Sequence, residues 1–485
     1  MFLSSLAIAQ QQKKIEIINA EDIIFNSNLH PTYRRLIGDV RFKHQDAIMH
    51  CDSAYHYQHN KMDAFGKIRI NQGDSIHLSG KRLIYNGNTS IAIISGDVKL
   101  VDNHIELSTE KIIYDLEKNI AFYPKKGKII DVENNLTSDK GSYYSKLYLF
   151  YFKGNVEIIN KDYIVKTDTM QYNSKNKVSY FIGPSTITSD ANIIYCEKGW
   201  YNSKTNIAQF QKNANITHKD YFMEGDSIYY DRNKGYGKAI KNINLIDTIN
   251  NLIITGDLGE YFEKEKNVIV TQKAILNLLF EEDTFFVHAD TFMSININGN
   301  RKILSYHNVK GYKTDMQIKC DSLSYDPQNS TIELFVSPVI WTDSFQIVAD
   351  SINMFLANGT INKMFLREKP IIISKEDSLY YNQITGKKMT VFFKENQLQK
   401  INVIGNSQTI FLAQNNKKEN IGINTSESSD ITIFFKNHEL DGLLFLTKPE
   451  AIMHPMDKIE EKDRFLKGFI WRVDEKPKSK EDIFD

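Results

Sequence analysis

The sequence predicts an all-β protein built from tandem repeats, and three observations predict it. Among 485 residues, 28 are Phe and 25 are Tyr, while only 9 are Pro. That composition suits half-buried strands. A short motif recurs along the chain: an apolar residue, a small residue, an acid, then an aromatic. Ile318 to Tyr325 and Met223 to Tyr230 are examples. Between its copies lie segments of strict apolar/polar alternation opened by glycine: Gly38-Asp39-Val40-Arg41-Phe42, Gly66-Lys67-Ile68-Arg69-Ile70, Gly96-Asp97-Val98-Lys99-Leu100 and Gly154-Asn155-Val156-Glu157-Ile158. Alternation with period two marks a strand with one buried face; a helix needs period 3.6.

The acid falls at Asp52, Glu110, Asp139, Asp168, Glu197, Asp226, Asp257, Asp290, Asp321 and Asp350, with Gly80 in the slot after Asp52 and Asp377 as a last copy. Neighbouring slots are 27 to 33 residues apart. Inward positions change parity across the acid, as in Leu107 and Thr109 before Glu110 and Ile112 and Tyr114 after it. A one-residue slip turns over every following side chain, so a bulge or corner is expected there. Each repeat then supplies about three strand segments, and the stack encloses a long apolar interior.

Balanced charge, 60 Lys and Arg against 60 Asp and Glu, argues against a nucleic-acid coat, which needs a basic excess. No apolar run is long enough for a membrane-spanning helix. Phe2 to Ala9 are apolar or small and end in Ala7-Ile8-Ala9. Residues 1–9 read as the remnant of a secretory signal, with the mature chain beginning near Gln10. Cys51, Cys196 and Cys320 all occupy the small slot before the acid, several repeats apart. One strand spacing per repeat separates the nearer pair by roughly 19 Å. A disulfide requires Cα atoms within about 7 Å, so three free core thiols are expected.

Residues 10–385 form the expected repeat array and 386–455 a C-terminal β region. Within the latter, Asn415 to Asp430 reads as a polar loop and Leu440-Asp441-Gly442-Leu443 as a hairpin turn. Pro455 to Lys467 reads as a short helix, and the charged tail from Asp474 is expected to fray; together 456–485 form a helix-and-tail segment.

The candidate sites are of four kinds. The acid ladder is expected to brace corners by bonding local backbone groups, against a calcium-binding alternative. Tyr114, Tyr143, Tyr172, Tyr201 and Tyr230 read as sheet packing, against a sugar platform. His44, His50, His56 and His59 lack zinc spacing and read as surface or rim residues. The sequence carries no phosphate loop, HExxH or GxSxG, so no catalytic residue, metal or cofactor is assigned. What remains is the interior, lined by Val40, Phe42, Ile68, Ile70, Val98, Leu100, Val156 and Ile158. It is either close-packed or a trough for acyl chains.

The period, the Gly-Asp-Val turn-strand and the Asp-Ser-x-x-Tyr motif together resemble the OstA-like family, over about residues 16 to 385. This is the β-jellyroll family of the lipopolysaccharide-transport protein LptA and the soluble part of LptD. Val403-Ile404-Gly405-Asn406 and Leu466 to Trp471 resemble the C-terminal part of the long OstA-like proteins of Bacteroidota. The resemblance implies an elongated antiparallel β-jellyroll in the periplasm that is not an enzyme. It implies lipopolysaccharide, held by its lipid A acyl chains, as cargo. It further implies edge-strand docking to an inner-membrane Lpt-type jellyroll and an outer-membrane LptD-type translocon, with self-association through the same edges. Two rivals stand beside it: an outer-membrane barrel, and a parallel β-helix acting as an adhesin or a polysaccharide-binding or processing protein.

Overall fold

The computed structural model describes residues 14–26, 28, 32–102, 105–131, 134–280, 283–297, 299–342, 344–357, 359–394, 397–415, 419–436 and 439–484. The expected signal remnant lies outside them. Every strand pairing given for the described residues is antiparallel, as in Tyr33–His44 with Ala47–Tyr57 and Lys61–Gln72 with Ile76–Asn86. That overturns the parallel β-helix reading. Among the described residues no helix is long and apolar enough to cross a membrane.

The repeat is simpler than the sequence implied. It consists of two long strands, each bent near its middle, rather than three segments. In Tyr33–His44 the pairing register breaks between Ile37 and Val40, and in Lys61–Gln72 between Phe65 and Ile68. At each break two consecutive residues take the left-handed conformation: Gly66 and Lys67 at φ 72° and 40°, Gly154 and Asn155 at 79° and 44°. One residue of the partner strand faces the two, which is a bulge. The glycine motifs are therefore mid-strand corners, not strand starts. The halves beyond the corner, such as 40–44 and 47–51, form one sheet (sheet I); the halves before it, such as 33–37 and 53–57, form the other (sheet II).

The chain divides into two compact units. Unit 1 runs to Lys219 and includes Asp231–Asn233; unit 2 holds Asp220–Tyr230 and the chain from Lys234. In unit 2 a large apolar core that includes Phe285, Ile318, Leu334, Ile347, Met364 and Val391 lies between the sheets.

The C-terminal region departs from expectation in four places. Asn420–Lys436 is a strand, not a loop, and pairs along its length with Gln397–Gln414. Its Ser426 and Ser428 alternate inward and are buried, so polarity concealed a period-two pattern. Asp441-Gly442 lies within the strand Glu439–Leu446 at a bulge, because the register shifts there. Pro455 ends the strand Glu450–Pro455, and only single 3-10 turns follow at Met456–Lys458 and Glu461–Asp463.

The fourth departure is the tail, which is fastened to unit 2. Gln383 Nε2 donates to Arg464 O at 2.7 Å while Leu466 N donates to Gln383 Oε1 at 2.8 Å. Gln346 repeats the arrangement with Ile470 O and Arg472 N, both at 2.7 Å. These bonds take up the backbone groups that an α-helix would have paired internally. The tail thereby covers the outward row Gln317, Trp341, Gln346, Ile373, Gln383 and Ile410 of sheet I, whose members are all buried. Unit 2 is a three-layer structure along that face.

A candidate lipid groove with a hydrogen-bonded mouth

The eight predicted lining residues all point between the sheets of unit 1 and are buried. The pairing register joins four of them into one row: Phe42, Met49, Ile70, Leu78, Leu100, Leu107, Ile129, Leu136, Ile158, Val165, Ile187, Ile194 and Ile216. Every member is apolar, and twelve strand spacings of about 4.8 Å give it a length of roughly 58 Å. The members on the acid-motif strands, such as Met49, Leu78 and Leu107, were not among the predicted residues. They lie three residues before the acid slot, where the motif already carried an apolar signal.

Two lines of polar contacts flank this interior. The first is the corner. Asn155 Nδ2 donates to Asp139 Oδ2 at 2.7 Å, Asn213 Nδ2 to Glu197 Oε1 at 2.7 Å, and Asn308 Nδ2 to Asp290 Oδ2 at 2.8 Å. Asn242 does the same with Asp226. Lys273 pairs with Asp257 and Lys369 with Asp350, while the His307 ring contacts Asp321. Asp168 accepts from Thr169. Thus an acid often meets the second left-handed residue of the next strand, a position that Asn tolerates best. Asp52 lies against Gly66, where a Cβ would come within 2.4 Å of its carboxylate. Glu110 sits at the corner between Thr109 and Lys111, opposite the break at Ser95 and Val98.

Two slot assignments change. Gly80 pairs with Ile68 and so fills the small slot, which leaves Lys81 in the acid slot. Lys81 bonds Asp97 of the next corner, the same bracket with its charges exchanged. Lys387 lies against Gly405 in the same way. Asp377 is not a corner acid; it accepts from Leu379 N and Tyr380 N in a turn.

The second line is the mouth, where the tips of the two sheets meet. Tyr114 donates to Gln72 Oε1 at 2.6 Å, Tyr143 to Asp102 Oδ2 at 2.5 Å, and Tyr172 to Asp131 Oδ2 at 2.7 Å. Tyr85 shares a 2.5 Å bond with His44 Nδ1. Each tyrosine belongs to sheet II and each partner to sheet I, 41 or 42 residues earlier. Gln72 Nε2 also donates to Leu116 O at 2.9 Å, and Lys177 Nζ to Asp131 Oδ2 at 2.6 Å. Burial pushes the hydroxyls of Tyr85, Tyr114 and Tyr143 to higher pKa, so they stay protonated. Alanines beside the tyrosines, Ala92 and Ala121, leave room for the rings to reach across.

This zip corrects one expectation: His44 is a buried partner rather than a rim residue. Tyr114, Tyr143 and Tyr172 point inward and are buried, which agrees with packing rather than a sugar platform, but their hydroxyls also bridge the sheets. The zip also matches the burial of the apolar row. Phe42 to Val165 are sealed, whereas Ile187, Ile194 and Ile216, beyond the Tyr172–Asp131 bridge, are half-buried. Unit 2 closes differently: Phe280 lies against Gly359, and a narrow slot is lined by Phe285, Met316, Ile332 and Leu356 with Lys313 and Asp315 at its rim.

Cys51, Cys196 and Cys320 are free and buried. Burial raises their thiols to about 12, 11 and 12, so they stay protonated and unreactive. Among the described residues no His, Cys, Asp or Glu cluster has the arrangement of a metal site.

Bent antiparallel strands around an apolar interior, repeated every two strands, define a repetitive β-jellyroll. The OstA-like protein family model matches residues 12–168 and 169–278, more than half of the sequence, and the chain belongs to that family. No curated protein matches it. Among solved structures it is similar to LptH, the LptA homologous periplasmic component of the conserved lipopolysaccharide transport device from Pseudomonas aeruginosa. The identity is 16% and the TM-score 0.22, over 23% of this chain and 93% of that one.

Proposed function

We propose that the chain is a periplasmic bridge that carries lipopolysaccharide from the inner to the outer membrane, with the acyl chains of lipid A between its sheets. The unbroken apolar row from Phe42 to Ile216 carries this reading. Exposing an acyl chain of 12 to 14 carbons to water costs roughly 10 kcal/mol, at about 0.8 kcal/mol per methylene. A row of near-identical rungs offers the chain similar surroundings at each step, so its free energy changes little as it slides.

The interior of unit 1 is packed from Phe42 to Val165, so lipid enters those rungs only when the mouth parts. Each neutral bridge contributes about 1 kcal/mol, and those to a carboxylate about 1.5–3 kcal/mol. Burial of acyl chains offsets the opening of a few rungs at a time. The sugar headgroup then stays in solvent at the mouth. Lipid is carried chemically unchanged, so the reading assigns no catalytic residue and no cofactor.

Partners dock at the edges. Glu16–Asn19 and Asp22–Ile24 pair with Tyr33–His44, and the neighbouring Ile23 and Phe25 are more than half exposed. Glu439–Leu446 and Glu450–Pro455 pair with Asn420–Lys436 and expose Leu444 and Ile452. Such edges accept a further strand, from an inner-membrane Lpt-type jellyroll, an outer-membrane LptD-type translocon or a second copy. Photo-crosslinking tests the cargo. Probes at Ile70 and Leu100 are expected to capture lipopolysaccharide, and probes at the outward Arg69 and Lys99 are not. Equal capture at both sets removes the groove.

A further inference from the structure

We propose that the outer face of sheet II in unit 1 binds an extended acidic polysaccharide, at a site separate from the groove. The register lays an outward row across this face: Phe122, Ser142, Tyr151, Gln171, Tyr180 and Trp200. Tyr151 and Tyr180 are 42% and 39% exposed. They flank Gln171, two strand spacings or about 9.6 Å apart, the span of a disaccharide. Aromatic faces carry negative potential and attract the C–H face of a pyranose. The interleaved Gln and Ser supply donors and acceptors for its hydroxyls. A lipid surface has no use for such polar interruptions.

A basic row runs alongside. Lys140 and Lys153 stand directly opposite each other on adjacent strands, and Lys198 is opposite Ile182. Like charges facing across a ladder repel. None of these lysines has an ion-pair partner among the described residues. On the outer face of sheet I, Arg41 pairs with Asp39, Lys99 with Glu106 and Lys166 with Glu157, while Arg69 and Lys128 have no ion-pair partner among the described residues. Residues 1–219 hold 28 Lys and Arg against 22 Asp and Glu, an excess that the zero net charge of the whole chain conceals. The unpaired lysines thus complement an anion, and the linear row fits a chain rather than a compact group.

Affinity electrophoresis of the full chain through gels containing polygalacturonate tests this. Retardation is expected, weakening with added salt. The pair Tyr151→Ser with Tyr180→Ser, and separately Lys140→Glu with Lys153→Glu, should each lower affinity at least tenfold with the far-ultraviolet circular dichroism unchanged. Equal retardation of the variants overturns the site. Equal retardation by a neutral linear glucan overturns its acidic specificity. Binding to phosphatidylglycerol vesicles without binding to polygalacturonate overturns the glycan in favour of a membrane surface. Lipid capture at Leu100 is independent of all these results, so the two proposals fail separately.

Discussion

Sheet I has two different outer faces. In unit 2 the tail covers it, and Trp341, Gln346, Ile373 and Gln383 are fully enclosed. In unit 1 the corresponding face carries Arg41, His50, Arg69, Ser79, Lys99, Ser108 and Lys128 in one register row, as a solvated face should. Unit 2 is held from outside by a strap; unit 1 is held by its core, its corners and the zip at its mouth. A strap across successive rungs resists separation of the structure beneath it. A zip of single side-chain bonds opens rung by rung. On the proposed reading, the mouth that parts belongs to unit 1, while the strap braces unit 2.

The largest expected effect breaks the strap. Gln346→Ala with Gln383→Ala removes the four hydrogen bonds to the tail and leaves part-buried backbone groups unpaired, at a cost of about 4 kcal/mol. Urea unfolding should show the loss in unit 2, with the tail becoming cleavable by protease. Next comes the corner. Gly154→Ala places a side chain at φ 79° and its Cβ 2.9 Å from the Asp139 carboxylate, for about 1–3 kcal/mol, read as a lower midpoint for unit 1. Tyr143→Phe removes one mouth bridge to a carboxylate, for about 1.5 kcal/mol. It should raise lipopolysaccharide capture at Leu100 while Gln346→Ala does not.

The smallest effect is a pH dependence of the strap. The Glu475 carboxyl is held down to about 2, chiefly by its bond to Arg472, against burial and with help from Lys319. Its folded value lies below the ordinary 4.5. The stabilisation is therefore complete above that range and is lost as pH falls from 4.5 towards 2. Hydrogen exchange at the Arg472 amide should accelerate over that window beyond its intrinsic rate, and Glu475→Gln should abolish the dependence.

Local pattern carried most of the fold. The inward set at Val40, Phe42, Ile68 and Ile70 follows from alternation, and the corner from the parity change at the acid. What alternation cannot show is which strand half lies opposite which. The zip joins residues 41 or 42 positions apart, and nothing near Tyr143 distinguishes a bridging ring from a packed one. Lys81 was hidden because its charge is reversed relative to the other slots, although the bracket it forms is the same. Gln346 is an isolated amide in the apolar strand Phe345–Val348, a pattern that signals a buried partner without naming the tail as that partner, whereas Gln383 stands beside Asn382 in a polar strand and gives no such signal.

The central claim is that acyl chains part the sheets of unit 1 along the apolar row. Asp74 and Glu117 are exposed at tips joined by the bond from Gln72 to Leu116 O. Each can be changed to cysteine and spin-labelled while the buried native thiols stay unreactive. Electron spin resonance then measures the width of the mouth directly. The distance between the labels is predicted to lengthen when lipopolysaccharide binds, and an unchanged distance with lipopolysaccharide bound would contradict the account.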